Sequence, residues 1–214
     1  MRPEPPLALG FDTSAAHCAA ALLSGDRLIA ERLEPMASGQ SERLIPLLEE
    51  MLAGADVHWH DLAAIGVGTG PGNFTGVRIA VSAARGIALG LGIPAVGVSG
   101  FDALAEGAPG ALTSLPAPRG RVWLAGPGLA DPLLTEPAEL PAALCGTGRD
   151  VAGAEAAALA SLTGGRALPA PPLAPAIARL ALRRRGSVQA RPAPLYLRPA
   201  DAAPPADPPP VILP

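Results

Sequence analysis

The pattern of apolar and polar positions divides the first half of the chain into alternating strands and helices. A helix is predicted from Ser41, because apolar residues then recur at three- and four-residue spacing as far as Leu52. A second, Ala-rich helix is predicted from about Thr75 to Leu91, and Ser99 is suited to cap a short third one. Short apolar runs predict strands over 7–12, 18–23, 28–33, 62–67 and 95–98. The order βββαβαβα predicts an α/β fold with a mixed sheet.

The pattern weakens after residue 106. Apolar runs predict strands over 121–124 and 143–146, and Ala-rich segments predict helices over 150–162 and 174–184. We therefore expect a first lobe over 1–106 and a smaller, degenerate second lobe over 107–200. Residues 201–214 contain six prolines without a regular period, which predicts a flexible tail.

The amino-acid composition limits the classes of function that the chain could have. The chain is 49% hydrophobic but only 3% aromatic, and all 16 basic residues are arginines within a net charge of −3. A protein that binds nucleic acid by itself needs a basic patch, whereas the one basic run, Arg183–Arg185, ends a predicted helix, where cations are favourable in any protein. The start of the chain carries no signal-like apolar segment, and we expect no membrane span. Two cysteines far apart, Cys18 and Cys145, fit reduced, buried thiols in a cytoplasmic protein.

A glycine-rich loop, Gly68 to Gly76, joins a predicted strand to the long second helix. Free N–H groups at a helix N-terminus suit an anion, but the chain has no lysine for a phosphate-binding P-loop, and the glycine spacing does not match a dinucleotide fingerprint. Close helix–sheet packing is the favoured interpretation, and phosphate binding stays open. Arg78 lies in the first helical turn, where a cation is unfavourable, so we expect an acidic side chain or backbone carbonyls to compensate it.

The segment Gly70 to Ile79 resembles the GPGSFTGLRIG signature of the TsaB (YeaZ) family, with Asn73 in place of Ser and Val77 in place of Leu. Further segments resemble the family in the same order along the chain. They are Leu9–Ser14, Ser41–Leu47, Ile93–Ser99 and Pro194–Arg198. The resemblance is almost continuous over 7–106 and is limited to islands thereafter. Gln40 stands where the family often has His.

The resemblance implies an actin-like (ribonuclease-H-like) fold with two lobes and a role in making N6-threonylcarbamoyladenosine at position 37 of bacterial tRNA. Members of the family are non-catalytic partners of the related transferase TsaD and work with the ATPase TsaE. We therefore expect a non-catalytic subunit without a cofactor of its own, a possible homodimer through the same surface, and only indirect contact with tRNA. The alternatives are a small actin-fold phosphotransferase, an M22-type peptidase, and a stand-alone anion-binding module.

The resemblance also directs attention to two groups of residues. The expected partner surface lies on the two long helices and comprises Leu44, Leu48, Met51, Ile79, Ala80, Ala83, Ala84 and Ile87. Arginine at position 83 or 84 should abolish pairing and leave a folded monomer. The family motif, interpreted as structural or as a weak anion site, comprises Asp12, Thr13, Ser14, Gly70, Pro71, Gly72, Asn73, Phe74, Thr75, Gly76 and Arg78. Actin-type ATPases place a metal-linked Asp where Asp12 lies, but a turn role is favoured here. No metal or catalytic residue is predicted.

Overall fold

The structure is a computed structural model that describes residues 5–187 and 190–197. Its first five-stranded sheet has the order β3-β2-β1-β4-β5, in which β1 to β3 are antiparallel and β4 and β5 continue parallel to β1. The strands are β1 Leu7–Asp12, β2 His17–Ser24, β3 Arg27–Pro35, β4 Leu62–Gly68 and β5 Ala95–Val98. The predicted mixed sheet is confirmed.

Two of the helices cover one face of this sheet. They are α1, Gln40–Gly54, and α2, Phe74–Leu91, and α3, Gly100–Gly107, follows β5. Ser99 caps α3, as predicted, by accepting a hydrogen bond from the backbone N–H of Asp102. The prediction for α1 was wrong by two positions, because Gly39 is the N-cap and Ser41 lies inside the helix.

Residues 112–168 form a second five-stranded sheet, of order β10-β9-β6-β7-β8, with one helix, α4, Ala156–Thr163. Its strands are β6 Leu112–Pro116, β7 Val122–Ala125, β8 Leu133–Thr135, β9 Val151–Gly153 and β10 Ala167–Leu168. The strand predicted over 143–146 was wrong, because these residues form turns. The helix predicted over 150–162 was wrong in its first part, where β9 pairs with β6 and β10 instead. Cys145 is exposed, whereas Cys18 is buried as expected.

Helix α5, Leu173–Arg184, returns to the first sheet and covers the face opposite α1 and α2. Its approach is close because β1 and β4 each carry a glycine beneath it. A Cβ on Gly10 would lie 2.5 Å from the backbone nitrogen of Ala178, and one on Gly66 would lie 2.7 Å from the carbonyl oxygen of Ile177. Helix α5 follows residue 106 in the chain but packs against the sheet formed by residues 7–98.

Helix α2 is the segment that bears on the expectation of no membrane span. Among the described residues it is the one helix long and apolar enough to do so by length and composition. Six of its residues, however, are buried in the chain's own core, as in the core helix of a globular domain. Packing on the sheet therefore accounts for its apolar sequence.

The beginning and the end of the chain lie outside the described residues. This applies to Met1–Glu4, to Arg198 of the motif that begins at Pro194, and to the tail predicted over 201–214.

Candidate functional site

The glycine loop packs directly against the turn between β1 and β2. The backbone N–H of Asn73 donates to the carbonyl of Ser14 at 2.6 Å, and the Thr13 hydroxyl donates to the carbonyl of Gly76 at 2.7 Å. The Asn73 side chain accepts from the Gly76 N–H at 2.9 Å, so asparagine caps α2 at the position where the family has serine. Two N–H donors of the loop are thus occupied by the chain itself.

Two glycines of the loop are required by this contact. A Cβ on Gly76 would lie 1.9 Å from the carbonyl oxygen of Thr13, and one on Gly72 would lie 2.2 Å from the carbonyl oxygen of Ser14. Both distances are far inside van der Waals contact, so only glycine fits at either position without a backbone shift. The contact gives these glycines a packing role, which is the interpretation that the sequence favoured.

Asp12 is 2% exposed and organises the turn through one carboxylate oxygen. Its Oδ2 accepts from the Ser14 N–H at 3.0 Å and from the Ser14 hydroxyl at 2.9 Å, and the Nε2 of His17 lies 2.9 Å away. A Cβ on Gly68 would lie 1.9 Å from Oδ1, so any other residue at the end of β4 would displace the Asp12 carboxylate. Among the described residues no group of three His, Cys, Asp or Glu side chains converges on a metal position.

His17 is the contact that sequence analysis missed. Its imidazole lies against Asp12, whereas the thiol of the neighbouring Cys18 is buried. Burial raises the pKa of the Cys18 thiol, with a smaller contribution from Glu34. A raised pKa disfavours the thiolate, which is the nucleophilic form of cysteine. The signal available in the sequence was the spacing of Asp12 and His17 across a tight turn.

A groove of about 1400 Å³ opens between the two lobes at this loop. The β1–β2 turn and the start of α2 form one wall, and β6, β7 and the final described segment form the other. Its aromatic side chains are Phe74, Trp123 and Tyr196, and its cation is Arg78. The sequence motifs identified only the first wall, since nothing in their spacing indicated that Trp123 lines the same groove as Phe74.

Phe74 and Tyr196 stack at the groove, with ring centroids 5.1 Å apart and planes inclined by 25°. The guanidinium carbon of Arg78 lies 5.0 Å from the centre of the Phe74 ring. The expectation for Arg78 was wrong, because an aromatic ring, rather than a carboxylate or a set of carbonyls, is its partner. A cation over an aromatic face is favourable, which offsets the helix-dipole cost.

The final described segment, residues 190–197, joins the two walls. The backbone N–H of Leu195 donates to the carbonyl of Thr69 at 2.8 Å, while Leu195 and Leu197 pack against the cluster around Trp123. Pro192 is buried beside Gly97 of β5. This segment, here called the strap, therefore contacts both the glycine loop of the first lobe and the sheet of the second.

The expected partner surface requires a correction. Five of its eight side chains are at most 1% exposed, because they pack into the core beneath α1 and α2. They are Leu44, Leu48, Met51, Ala80 and Ala84. A side chain buried in this way cannot anchor a partner. Ile79, Ala83 and Ile87 are half-buried, and the outer face of the two helices also exposes Ile45 and Leu89, by 37% and 82%.

Comparison with known proteins gives sequence matches concentrated in the first lobe. The profile of the family described as TsaD, tRNA N6-adenosine threonylcarbamoyltransferase, matches residues 34–135. The tRNA threonylcarbamoyladenosine biosynthesis protein TsaB of Escherichia coli is 35% identical over 100 residues, which are 47% of this chain and 43% of that protein. TsaB of Bacillus subtilis is 39% identical over 97 residues, or 45% and 42% of the two chains. The matched part of the chain thus spans less than half the length of these relatives.

Solved structures extend the similarity to both lobes. A Pseudomonas aeruginosa protein with similarity to the peptidase YeaZ superposes with a TM-score of 0.71 at 24% identity, over 90% of this chain and all of that one. YeaZ from the same organism gives 0.70 at 25% identity over the same shares. Component A of Acidaminococcus fermentans (R)-2-hydroxyglutaryl-CoA dehydratase, at 12% identity and a TM-score of 0.55 over 84% and 99% of the two chains, shows the same fold alone. The two-lobed architecture is the expected actin-like fold, and the Gly70 to Ile79 signature and these relatives show that the chain is similar to the TsaB (YeaZ) family.

Proposed function

We propose that the chain is a non-catalytic subunit in the synthesis of N6-threonylcarbamoyladenosine on tRNA and acts by pairing with a TsaD protein. The packing of the glycine loop carries this proposal. The N–H groups of Asn73 and Gly76, which an anion would need, already donate to the chain's own oxygens. The names of the curated relatives support the pathway, and the match to the TsaD profile supports kinship with the transferase.

Contact with tRNA is proposed to be indirect. The net charge is −3, whereas phosphate contacts require a basic surface. The arginines at the end of α5 are engaged within the chain: Arg183 donates to Glu106 at 2.9 Å and Arg184 to Asp102 at 3.2 Å. TsaD is therefore proposed to hold the tRNA in the cytoplasm, with the ATPase TsaE joining the assembly and no cofactor bound by this subunit.

The proposed partner surface is the outer face of α1 and α2 around Ile79, Ala83 and Ile87. Small side chains there permit close helix approach, and Ile45 and Leu89 add exposed apolar area at its edges. A second copy of the chain would use the same face in a homodimer. Apolar anchors at the centre of an interface typically cost about 2 kcal/mol or more when lost.

Reconstitution tests the function. The purified chain with tRNA, ATP and threonylcarbamoyl-adenylate should give no modified adenosine, and adding TsaD should give the product. Modification in preparations shown by mass spectrometry to lack TsaD would overturn the non-catalytic assignment.

Ala83→Arg tests the surface. The variant should remain folded and lose co-purification with TsaD, since a charge then replaces a small side chain at the contact. Ala157→Arg, on the exposed face of α4 in the second lobe, is the matched control and should pair normally. Normal pairing by Ala83→Arg would show that the surface lies elsewhere.

Ala84→Arg is not a suitable test of the surface, because Ala84 is fully buried and arginine there should unfold the first lobe.

A further inference from the structure

The groove between the lobes has a larger volume than a small-molecule ligand requires. Pockets for small ligands are roughly 300–1,000 Å³, whereas this groove is about 1400 Å³ and its walls are mainly apolar. Phe74 and Tyr196 expose 48% and 50% of their surface in a chain with few aromatic residues. We propose that this groove binds the chain's own proline-rich segment, residues 204–213, within the same molecule.

The chemistry of the segment fits the walls of the groove. Its sequence, PPADPPPVIL, combines five prolines with an apolar end at Val211, Ile212 and Leu213. Proline-rich segments adopt an extended helix that docks in aromatic-lined grooves at a low cost in conformational entropy. The stacked pair of Phe74 and Tyr196 supplies such a surface, and Trp123 lines the same groove.

Charge complementarity supports the same occupant. Asp207 is the one charged residue of the segment, and Arg78 is the cation of the groove. No carboxylate in the described part of the chain forms an ion pair with Arg78, whose guanidinium lies over the Phe74 ring. Binding of the segment would bring Asp207 to this cation, which a purely apolar peptide could not do.

The described part of the chain ends at the groove, so the proline-rich segment can reach the groove of the same molecule. Leu195, Tyr196 and Leu197 of the strap themselves line the groove, so the chain leaves the described region at the site. Six residues separate Leu197 from Pro204, and an extended proline-type chain covers about 3.1 Å per residue, or about 20 Å in all. A linker this short gives an effective concentration in the millimolar range, so even weak intrinsic affinity would keep the groove occupied.

Binding of a labelled peptide of residues 202–214 tests the proposal by fluorescence anisotropy. A chain shortened after residue 200 should bind the peptide, and the full chain should bind it at least tenfold more weakly, because its own segment occupies the groove. Ile212→Asp in the full chain should restore binding of the wild-type peptide. Equal binding by the shortened and full chains, or binding by neither, would overturn the proposal.

Groove variants of the shortened chain locate the site. Phe74→Ala and Tyr196→Ala should each weaken peptide binding at least tenfold, whereas Leu89→Ala, at a more exposed apolar position of α2 outside the groove, should not change it. Unchanged binding by a folded groove variant would contradict the assignment. Light scattering separates the intramolecular contact from exchange between molecules: a full chain that dimerises through residues 204–213 would refute binding in cis. None of these outcomes depends on the proposed pairing with TsaD.

Discussion

At the scale of single residues, the motif acts as a contact between two backbones. The turn after β1 and the loop after β4 approach so closely that Gly72 and Gly76 exclude any side chain. Asp12 stabilises the turn from within by accepting hydrogen bonds from both the backbone and the hydroxyl of Ser14. These interactions position the start of α2, and with it the aromatic wall of the groove.

Gly76→Ala should destabilise the protein, because its Cβ would lie 1.9 Å from the carbonyl oxygen of Thr13. Overpacking of this kind costs about 1–3 kcal/mol or more, which lowers Tm by roughly 2–12 °C in a chain of this size. Gly86→Ala, in the same helix with open space around it, is the control. Alanine there should raise Tm by about 1–4 °C through its better helix propensity. Similar Tm values for the two variants in thermal denaturation would contradict the close contact.

Arg78→Ala should change stability little. The exposed cation–π contact with Phe74 contributes about 0.5–1 kcal/mol, and removing a cation from the first helical turn returns a similar amount. We expect Tm to stay within about 2 °C of the wild type, measured by circular dichroism. A fall of about 6 °C or more would indicate a structural role for the guanidinium beyond this contact.

At the scale of elements, an arginine joins α1 to the edge strand β3. Arg43 donates through Nε and Nη2 to both carboxylate oxygens of Glu34, and through Nη1 and Nη2 to those of Glu50, all at 2.7 Å. Hydrogen bonds from Arg43 lower the pKa of both glutamates below their ordinary value of 4.5. The network links β3 to α1 through charged side chains of both elements.

Stability should therefore depend on pH through this network. A carboxylate with a lowered pKa in the folded state stabilises the protein above pH 4.5, and the contribution is lost as the pH falls through the lowered value. Arg43→Met should lower Tm at pH 7, and its difference from the wild type should narrow towards pH 3. Both glutamates are solvent-accessible, so the effect should be small and should decrease at high salt.

Arg85→Met is the matched control, because Arg85 is exposed on α2 and makes no ion pair within the described residues. Its difference from the wild type should not vary with pH in the same range. If the Arg43→Met difference were as large at pH 3 as at pH 7, the ion pairs would not be its cause.

At the scale of the whole molecule, the first lobe is completed by chain from beyond the second. Helix α5 buries an apolar side against the first sheet, with Ile177, Ala178 and Ala181 against the backbone and side chains of β1 and β4. The strap then crosses from the glycine loop to the cluster around Trp123. The chain therefore crosses from one lobe to the other both before and after the second sheet. These two crossings couple the lobes.

A chain shortened after Pro172 should fail to fold cooperatively, although it retains every strand of both sheets. Loss of α5 exposes an entire face of the first sheet, including Ala8, Leu23 and Val96. A chain shortened after residue 200 keeps α5 and the strap and should unfold with a single transition close to that of the full chain. A cooperative transition for the shorter form in calorimetry would show that the first lobe is stable without α5.

Periodicity and motif order by themselves determined the first sheet and its two long helices. Four of those strands, β1, β2, β4 and β5, are largely apolar runs, whereas β3 interrupts its apolar residues with Glu31 and Arg32. Leu44, Leu48 and Met51 recur at helical spacing, so local pattern and final structure agree. The second lobe was less predictable, because strands of two to five residues such as β8, β9 and β10 are too short for a periodic signal.

Only the tertiary structure decided which side of each helix is buried in the chain's own core and which residues line the groove. An apolar stripe predicts that a helix face is buried but does not say against what, so Ala80 and Ala84 were assigned to a partner although they face the chain's own sheet. Likewise, the arrangement of Phe74, Trp123 and Tyr196 depends on contacts between residues far apart in the chain. Contacts at such separation arise from packing of whole elements, which no local pattern of residues encodes.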